Sequence, residues 1–161
     1  MIFCTVGTQL PYNRLLKLCD ESASIMPDYN FFMQIGESDY IPKNSAWVRN
    51  INEIDYHDKL KKTQLIIGHA GMGTILSALD YNIPIILVPR KHALNEHRND
   101  HQLATAHKFR HYSSIFVYDE SSDFTELIFK ALSFVGEYEV DKKSKEFSQK
   151  LVLIVNELLG N

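Results

Sequence analysis

Apolar residues fall along this chain in two rhythms. Short runs dense in Ile, Val and Phe alternate with longer stretches whose apolar positions recur every three or four residues. That alternation predicts βαβ units, hence a parallel sheet covered by helices. The first run, Ile2 to Val6, is followed by "GTQLPYNRLLKLCDESAS", in which Leu15, Leu16, Leu18 and Cys19 fit one helical face. "YNFFMQIG" and "SAWVRNI" predict the second and third strands, a polar-faced helix over Glu53 to Lys62 follows, and "QLIIGHAG" is the fourth strand. "MGTILSALDYN" reads as a helix that stops near Asn82-Ile83-Pro84, because the residue before a proline is pushed out of the helical region. "PIILVPR" has the continuous apolar character of a central strand buried on both faces. A helix over His101 to Phe109, a sixth strand in "SSIFVYD" and a helix in "SSDFTELIFKALSF" complete the alternation. In the C-terminal "KKSKEFSQKLVLIVNELLGN", Phe147, Leu151, Ile154 and Leu158 stand at helical spacing.

Composition narrows this picture. With 161 residues, 45% hydrophobic and 23% charged, the chain suits one domain spanning residues 1–161. Residues 137–161 are expected to form a helical extension, with a hinge where charge rises between Gly136 and Lys145. A formal net charge of −3 and a sequence pI near 6.1 give no field for a polyanion, so nucleic acid is disfavoured as a partner. Cys4 and Cys19 lie in apolar segments without metal-like spacing and read as buried thiols. The N-terminus lacks a basic region before its short apolar run, and no apolar stretch is long enough for a bilayer, so a cytoplasmic location is expected.

The densest candidate chemistry is "LIIGHAGMGT" at residues 65–74. Glycines that end a strand and open a helix let the backbone approach phosphate oxygens, which the first-turn N–H groups and the helix dipole favour. The spacing is neither the dinucleotide fingerprint nor the P-loop, so a tight turn whose glycines serve helix packing is the competing reading. His69 is either a ligand contact or a loop-holding residue, and Thr74 either a phosphate contact or a cap. A second cluster, "NEHRNDHQ" at residues 95–102, follows the fifth strand and offers donors and acceptors suited to sugar hydroxyls, or else a solvated loop and cap. No clustered Asp/His set calls for a divalent metal, and no cofactor is implied.

Taken in order, "HAGMGT", "IPIILVPR" and "NEHRNDHQLATA" resemble the C-terminal domain of glycosyltransferase family 28. The opening "MIFCTVGTQLPYNRLLK" looks like the branch of small subunits of two-part enzymes, and the likeness covers roughly residues 1 to 110. The resemblance implies the fold of the nucleotide-sugar half of a GT-B enzyme: Rossmann-like α/β, an open parallel sheet with helices on both faces. It further implies a UDP-sugar donor, a lipid-linked acceptor, and a membrane-associated partner subunit that holds the acceptor and recruits the chain to the inner face of the membrane. Self-association of the isolated chain stays open. Carried over position by position, Gly71, Gly73 and Thr74 would cradle the diphosphate, His69 and Ala70 would shape the loop beneath it, and Gly7 and Thr8 would face the same cleft. Asp100, His101 and Gln102 match the family's D-H-Q, with Gln102 assigned to the donor sugar. Glu96 and His97 match an "EH" that bacterial members often carry, and Arg90 stands where a cation would offset diphosphate charge or lie as a surface residue. Ser77 departs from the pattern, since many members carry glutamate there to hold the ribose. The implied reaction is an inverting transfer, in exopolysaccharide assembly rather than protein glycosylation, with Glu96 and His97 as candidates for a general base that the sequence does not identify. A non-catalytic enhancer of a partner enzyme, or a nucleotide-binding domain for another ligand, are the rival readings. The C-terminal helix is expected to contribute to the partner interface.

Overall fold

The computed structural model describes residues 1–134. The expected C-terminal helix and the 137–161 extension lie outside the described residues. Six strands, β1 (Ile2–Thr5), β2 (Phe31–Gln34), β3 (Ala46–Val48), β4 (Leu65–Gly68), β5 (Ile85–Leu87) and β6 (Ile115–Val117), form one sheet in the order β3-β2-β1-β4-β5-β6. Every neighbouring pair is parallel; Ile2 stands opposite Phe31 on one side and Leu65 on the other. This is the doubly wound order, whose chain reverses its direction of travel between β1 and β4. Among the described residues five α-helices cover it: α1 (Asn13–Ile25), α2 (Glu53–Leu60), α3 (Met72–Asp80), α4 (His101–Phe109) and α5 (Phe124–Leu132).

Alternation along the strands divides the core into two layers. Ile2, Cys4, Met33, Ile67 and Ile86 face one side, where Leu15, Leu16 and Cys19 of α1 and Phe124, Ile128 and Ala131 of α5 close over them. Phe3, Phe32, Ile66, Ile85 and Leu87 face the other, beneath Leu60 of α2, Ile75 and Ala78 of α3, and Ala106 and Phe109 of α4. Both cysteines are buried free thiols, and burial raises the Cys19 thiol well above its ordinary value. β5 is buried on both faces as its sequence predicts, yet it sits second from the sheet edge rather than at the centre.

Two elements are shorter than their sequence runs. Of "SAWVRNI" only Ala46–Val48 pair, because β3 is the edge strand with β2 as its single neighbour, and Trp47 is left 38% exposed. Of "PIILVPR" only Ile85–Leu87 pair, after which the chain turns over the end of the sheet. The β2–β3 connection carries no helix. Its fold instead closes on the carboxylate of Asp20 in α1, which accepts from the backbone N–H groups of Lys43 and Asn44 at 2.9 and 2.8 Å and from the Tyr40 hydroxyl at 2.9 Å. Burial would raise the Asp20 pKa, but these hydrogen bonds outweigh it and the net shift is downward. Among the described residues no helix is long and apolar enough to cross a membrane.

Candidate functional site

At the reversal between β1 and β4, the loops leaving the two strands diverge and open a cleft of about 690 Å³ at the carboxyl end of the sheet. Local chemistry builds its floor. Thr5 Oγ1 donates to Gln34 Oε1 at 2.7 Å and accepts from the Gly7 N–H at 3.2 Å, while Gln34 Nε2 donates to the carbonyls of Gly7 and Arg49. Gly7 takes a φ of +78°, a conformation that glycine adopts without steric cost. The polar end of the apolar run "FFMQ" is the signal from which Gln34 could have been found.

The glycines of the β4–α3 loop divide into two kinds. A Cβ on Gly71, or on Gly7 across the cleft, would strike the His69 ring, so these two positions are small because an imidazole lies between them. A Cβ on Gly68 would approach the Thr74 methyl at 3.2 Å. Gly73 is different: a Cβ there would meet nothing within 4 Å, and the position faces open cleft.

Helix α3 begins at Gly71 with no side-chain cap, and its first intrahelical bond runs from Ile75 N–H to the Gly71 carbonyl at 3.1 Å. The N–H groups of Met72, Gly73 and Thr74 thus have no acceptor in the fold, and all three residues line the cleft. By contrast α2 and α5 carry capping side chains, Asn52 and Asp123. Burial, and secondarily the neighbouring Arg90 guanidinium, lower the His69 pKa to about 4, so the ring is neutral at pH 7. Its Nδ1 is buried without a hydrogen bond of ordinary geometry.

The opposite wall comes from the β5–α4 loop. Arg90 is 2% exposed, and its guanidinium donates to the carbonyls of Val6, Leu10 and Pro11 at 2.9, 2.7 and 2.6 Å, and to that of Glu96 at 3.3 Å. It lies 4.4 Å from the Tyr12 ring centroid. Its own N–H donates to Gln102 Oε1 at 3.0 Å, which fixes the amide of a residue that lines the cleft. Arg90 is therefore neither a surface residue nor a free cation: it clamps the β1–α1 loop to the β5–α4 loop. Glu96 completes the clamp, pairing with Arg14 Nε at 2.7 Å and Nη2 at 2.8 Å and accepting from the Lys91 N–H.

Of the residues singled out in the sequence, Gly7, Thr8, His69, Gly71, Gly73, Thr74, Arg90, His97 and Gln102 line the cleft. Ser77 lines it as well, one turn into α3, where its Oγ donates to the Gly73 carbonyl at 2.9 Å. Ala70 is buried beneath the loop. Glu96, Asp100 and His101 are not in the lining: Glu96 is held by Arg14, Asp100 accepts from the His92 N–H at 3.0 Å, and His101 opens α4 facing solvent. His97 is oriented by Asn99, whose Oδ1 also accepts from the His101 N–H at 3.3 Å. An oxygen that accepts from an unambiguous donor is set to accept from His97 Nδ1–H too. The sequence reading passed over Gln9, Asn50, Ile51, Glu53 and Tyr56, which also line the cleft. Asn50 and Ile51 belong to the β3–α2 connection and Glu53 and Tyr56 to the start of α2, a stretch whose sequence carries no glycine or repeated polar signature to mark it.

A doubly wound sheet with an uncapped helix opening onto its reversal point is the Rossmann-like α/β fold of GT-B glycosyltransferase C-terminal domains. The glycosyltransferase family 28 C-terminal domain matches residues 1–155, and the chain belongs to that family. Among solved structures it is similar to the glycotransferase of kitacinnamycin, with a TM-score of 0.61 and 18% identity over 93% of this chain and 37% of that one. It is similar to MurG of Acinetobacter baumannii, with a TM-score of 0.55 and 21% identity over 81% of this chain and 40% of that one. ALG13, seen in solution by NMR, aligns with a TM-score of 0.62 and 18% identity over 94% of both chains. The chain thus spans well under half the length of the first two and nearly all of the third. No curated protein matches it.

Proposed function

We propose that the chain is the donor-binding, catalytic subunit of a two-component inverting glycosyltransferase. It would move a sugar from a UDP-sugar to a lipid-linked acceptor held by a membrane-associated partner, in exopolysaccharide or glycan biosynthesis. The observation that carries the reading is the unclaimed N–H triplet of Met72, Gly73 and Thr74, aimed into the cleft at a position that has no side chain. Such donors, with the helix dipole, hold a diphosphate and stabilise the charge that develops on it as the glycosidic bond breaks. Gln102 Nε2, fixed by the Arg90 N–H, stands on the wall where a donor hexose would lie.

Of the two candidates for the general base, geometry favours His97. Glu96 is committed to Arg14 and the Lys91 N–H, whereas His97 lines the cleft with its Nδ1 held by Asn99, so that Nε2 is the ring nitrogen left for a ligand. In this reading His97 Nε2 takes the proton of the acceptor hydroxyl as its oxygen attacks the anomeric carbon, and the UDP leaves on the α3 N-terminus. Calorimetric titration of the chain with UDP and UDP-sugars tests the donor site. Gly73→Val is expected to abolish binding, and Gln102→Ala to weaken the UDP-sugars while sparing UDP. Unchanged binding in Gly73→Val, or unimpaired activity of that variant with its partner, would contradict the reading and leave an enhancer role.

A further inference from the structure

One carboxylate lies in the lining of the cleft: Glu53, the first residue of α2. Its carboxylate lies 4.0 Å from His57 Nε2, a contact at the outer limit of an ion pair. A carboxylate repels phosphate, so it can serve a ligand there only by accepting from uncharged donors, and a vicinal diol presents two hydroxyls to its two oxygens. The sheet order places the β3–α2 connection on one side of α3 and the β5–α4 loop on the other, so the two ends of the cleft flank the glycine loop. A diphosphate on α3 therefore sends its two substituents in opposite directions.

The two ends differ in chemistry. At the α4 end stand Gln9, His97 and Gln102, polar groups suited to a hexose. At the α2 end Ile51 and the half-buried Tyr56 ring supply apolar walls, Asn50 an exposed amide without an internal partner, and Glu53 the carboxylate. A flat base with amide edges matches the first three. Ser77, on the same side, is taken: its Oγ donates to the Gly73 carbonyl. We propose that Glu53, supplied from α2 rather than α3, reads the ribose 2′- and 3′-hydroxyls of the donor nucleotide and so sets preference for a ribonucleotide. This rests on the donor-binding reading above.

The test compares UDP with 2′-deoxy-UDP on the full chain by calorimetry, for the native protein, Glu53→Gln and Glu53→Asp. The native chain is expected to prefer UDP by about tenfold, the order expected for a hydrogen bond to an ionised group at an exposed site. Glu53→Gln should weaken UDP more than 2′-deoxy-UDP, which keeps only the 3′-hydroxyl contact, and so shrink the preference, with an unaltered melting temperature because the side chain is 91% exposed. Glu53→Asp should retain part of the preference. A ribose preference that survives undiminished in Glu53→Gln overturns the proposal. So does a Glu53→Gln variant that loses affinity for UDP-sugars but not for UDP, since the carboxylate would then face the hexose. If the native chain binds neither nucleotide, the donor-binding reading falls and takes this assignment with it, an outcome visible before any variant is made.

Discussion

Arg90 shows how far a residue's charge is from fixing its role. Its position after the fifth strand suggests a cation for a diphosphate, but the folded chain commits its guanidinium to four backbone carbonyls and its N–H to Gln102. Nothing in the spacing along the chain announces this, because the acceptors are 79 to 84 residues away for Val6, Leu10 and Pro11. Arg90→Lys keeps the charge but cannot span the same carbonyls, and it should destabilise the fold by about 3 kcal/mol, read from urea unfolding. It should also weaken UDP-sugars more than UDP, through the loosened Gln102. His69 gives a second test. Its folded pKa of about 4 lies below the ordinary 6.5, so as pH falls the unfolded chain takes up this proton first. The associated stability is fully present above about pH 6.5 and is lost as pH falls towards 4, by up to about 3 kcal/mol. The urea midpoint should drop across that window in the native protein and less in His69→Gln; equal slopes would show that His69 is not buried as a neutral ring.

At the scale of the element, the β4–α3 loop explains why glycines cluster where they do. The sequence permits two readings of them, phosphate approach and close packing, and the structure assigns the two roles to different residues. Gly7 and Gly71 make room for an imidazole, Gly68 for a methyl, and Gly73 leaves space. Gly71→Ala should therefore cost about 1–3 kcal/mol in thermal or urea unfolding, as an overpacking change. Gly73→Ala should leave stability equal or raise it by up to about 1 kcal/mol, since alanine suits a helix better, while reducing UDP affinity. Equal effects of the two substitutions would contradict the division. Elements with strong periodicity were legible: the helix expected over His101 to Phe109 has those bounds, and all six strands are present. The Asp20-centred β2–β3 connection was not, because a helix-borne carboxylate receiving N–H groups from residues 43 and 44 leaves no local pattern. Asp20→Asn should destabilise by about 2 kcal/mol and shift acid unfolding to higher pH, because the depressed carboxylate pKa contributes stability that is lost as pH falls through it.

For the whole molecule, function follows from where the winding reverses. Two loops that part between β1 and β4 leave a cleft, the Arg90 and Glu96 clamp holds its roof, and the free N–H groups of α3 face into it. The sequence motifs located the glycine loop and the α4 wall because those carry glycines and clustered polar residues; the α2 wall, built from Asn50, Ile51, Glu53 and Tyr56, looks like any surface turn until the sheet places it. The proposed function requires above all that a diphosphate bind on the N-terminus of α3. Its most direct measurement is the backbone amide spectrum of the ¹⁵N-labelled chain as UDP and then uridine are added. UDP is expected to shift the Met72, Gly73 and Thr74 amides most strongly, and uridine, lacking phosphates, to leave them in place. Saturable UDP binding with those three amides unmoved would contradict the proposed function.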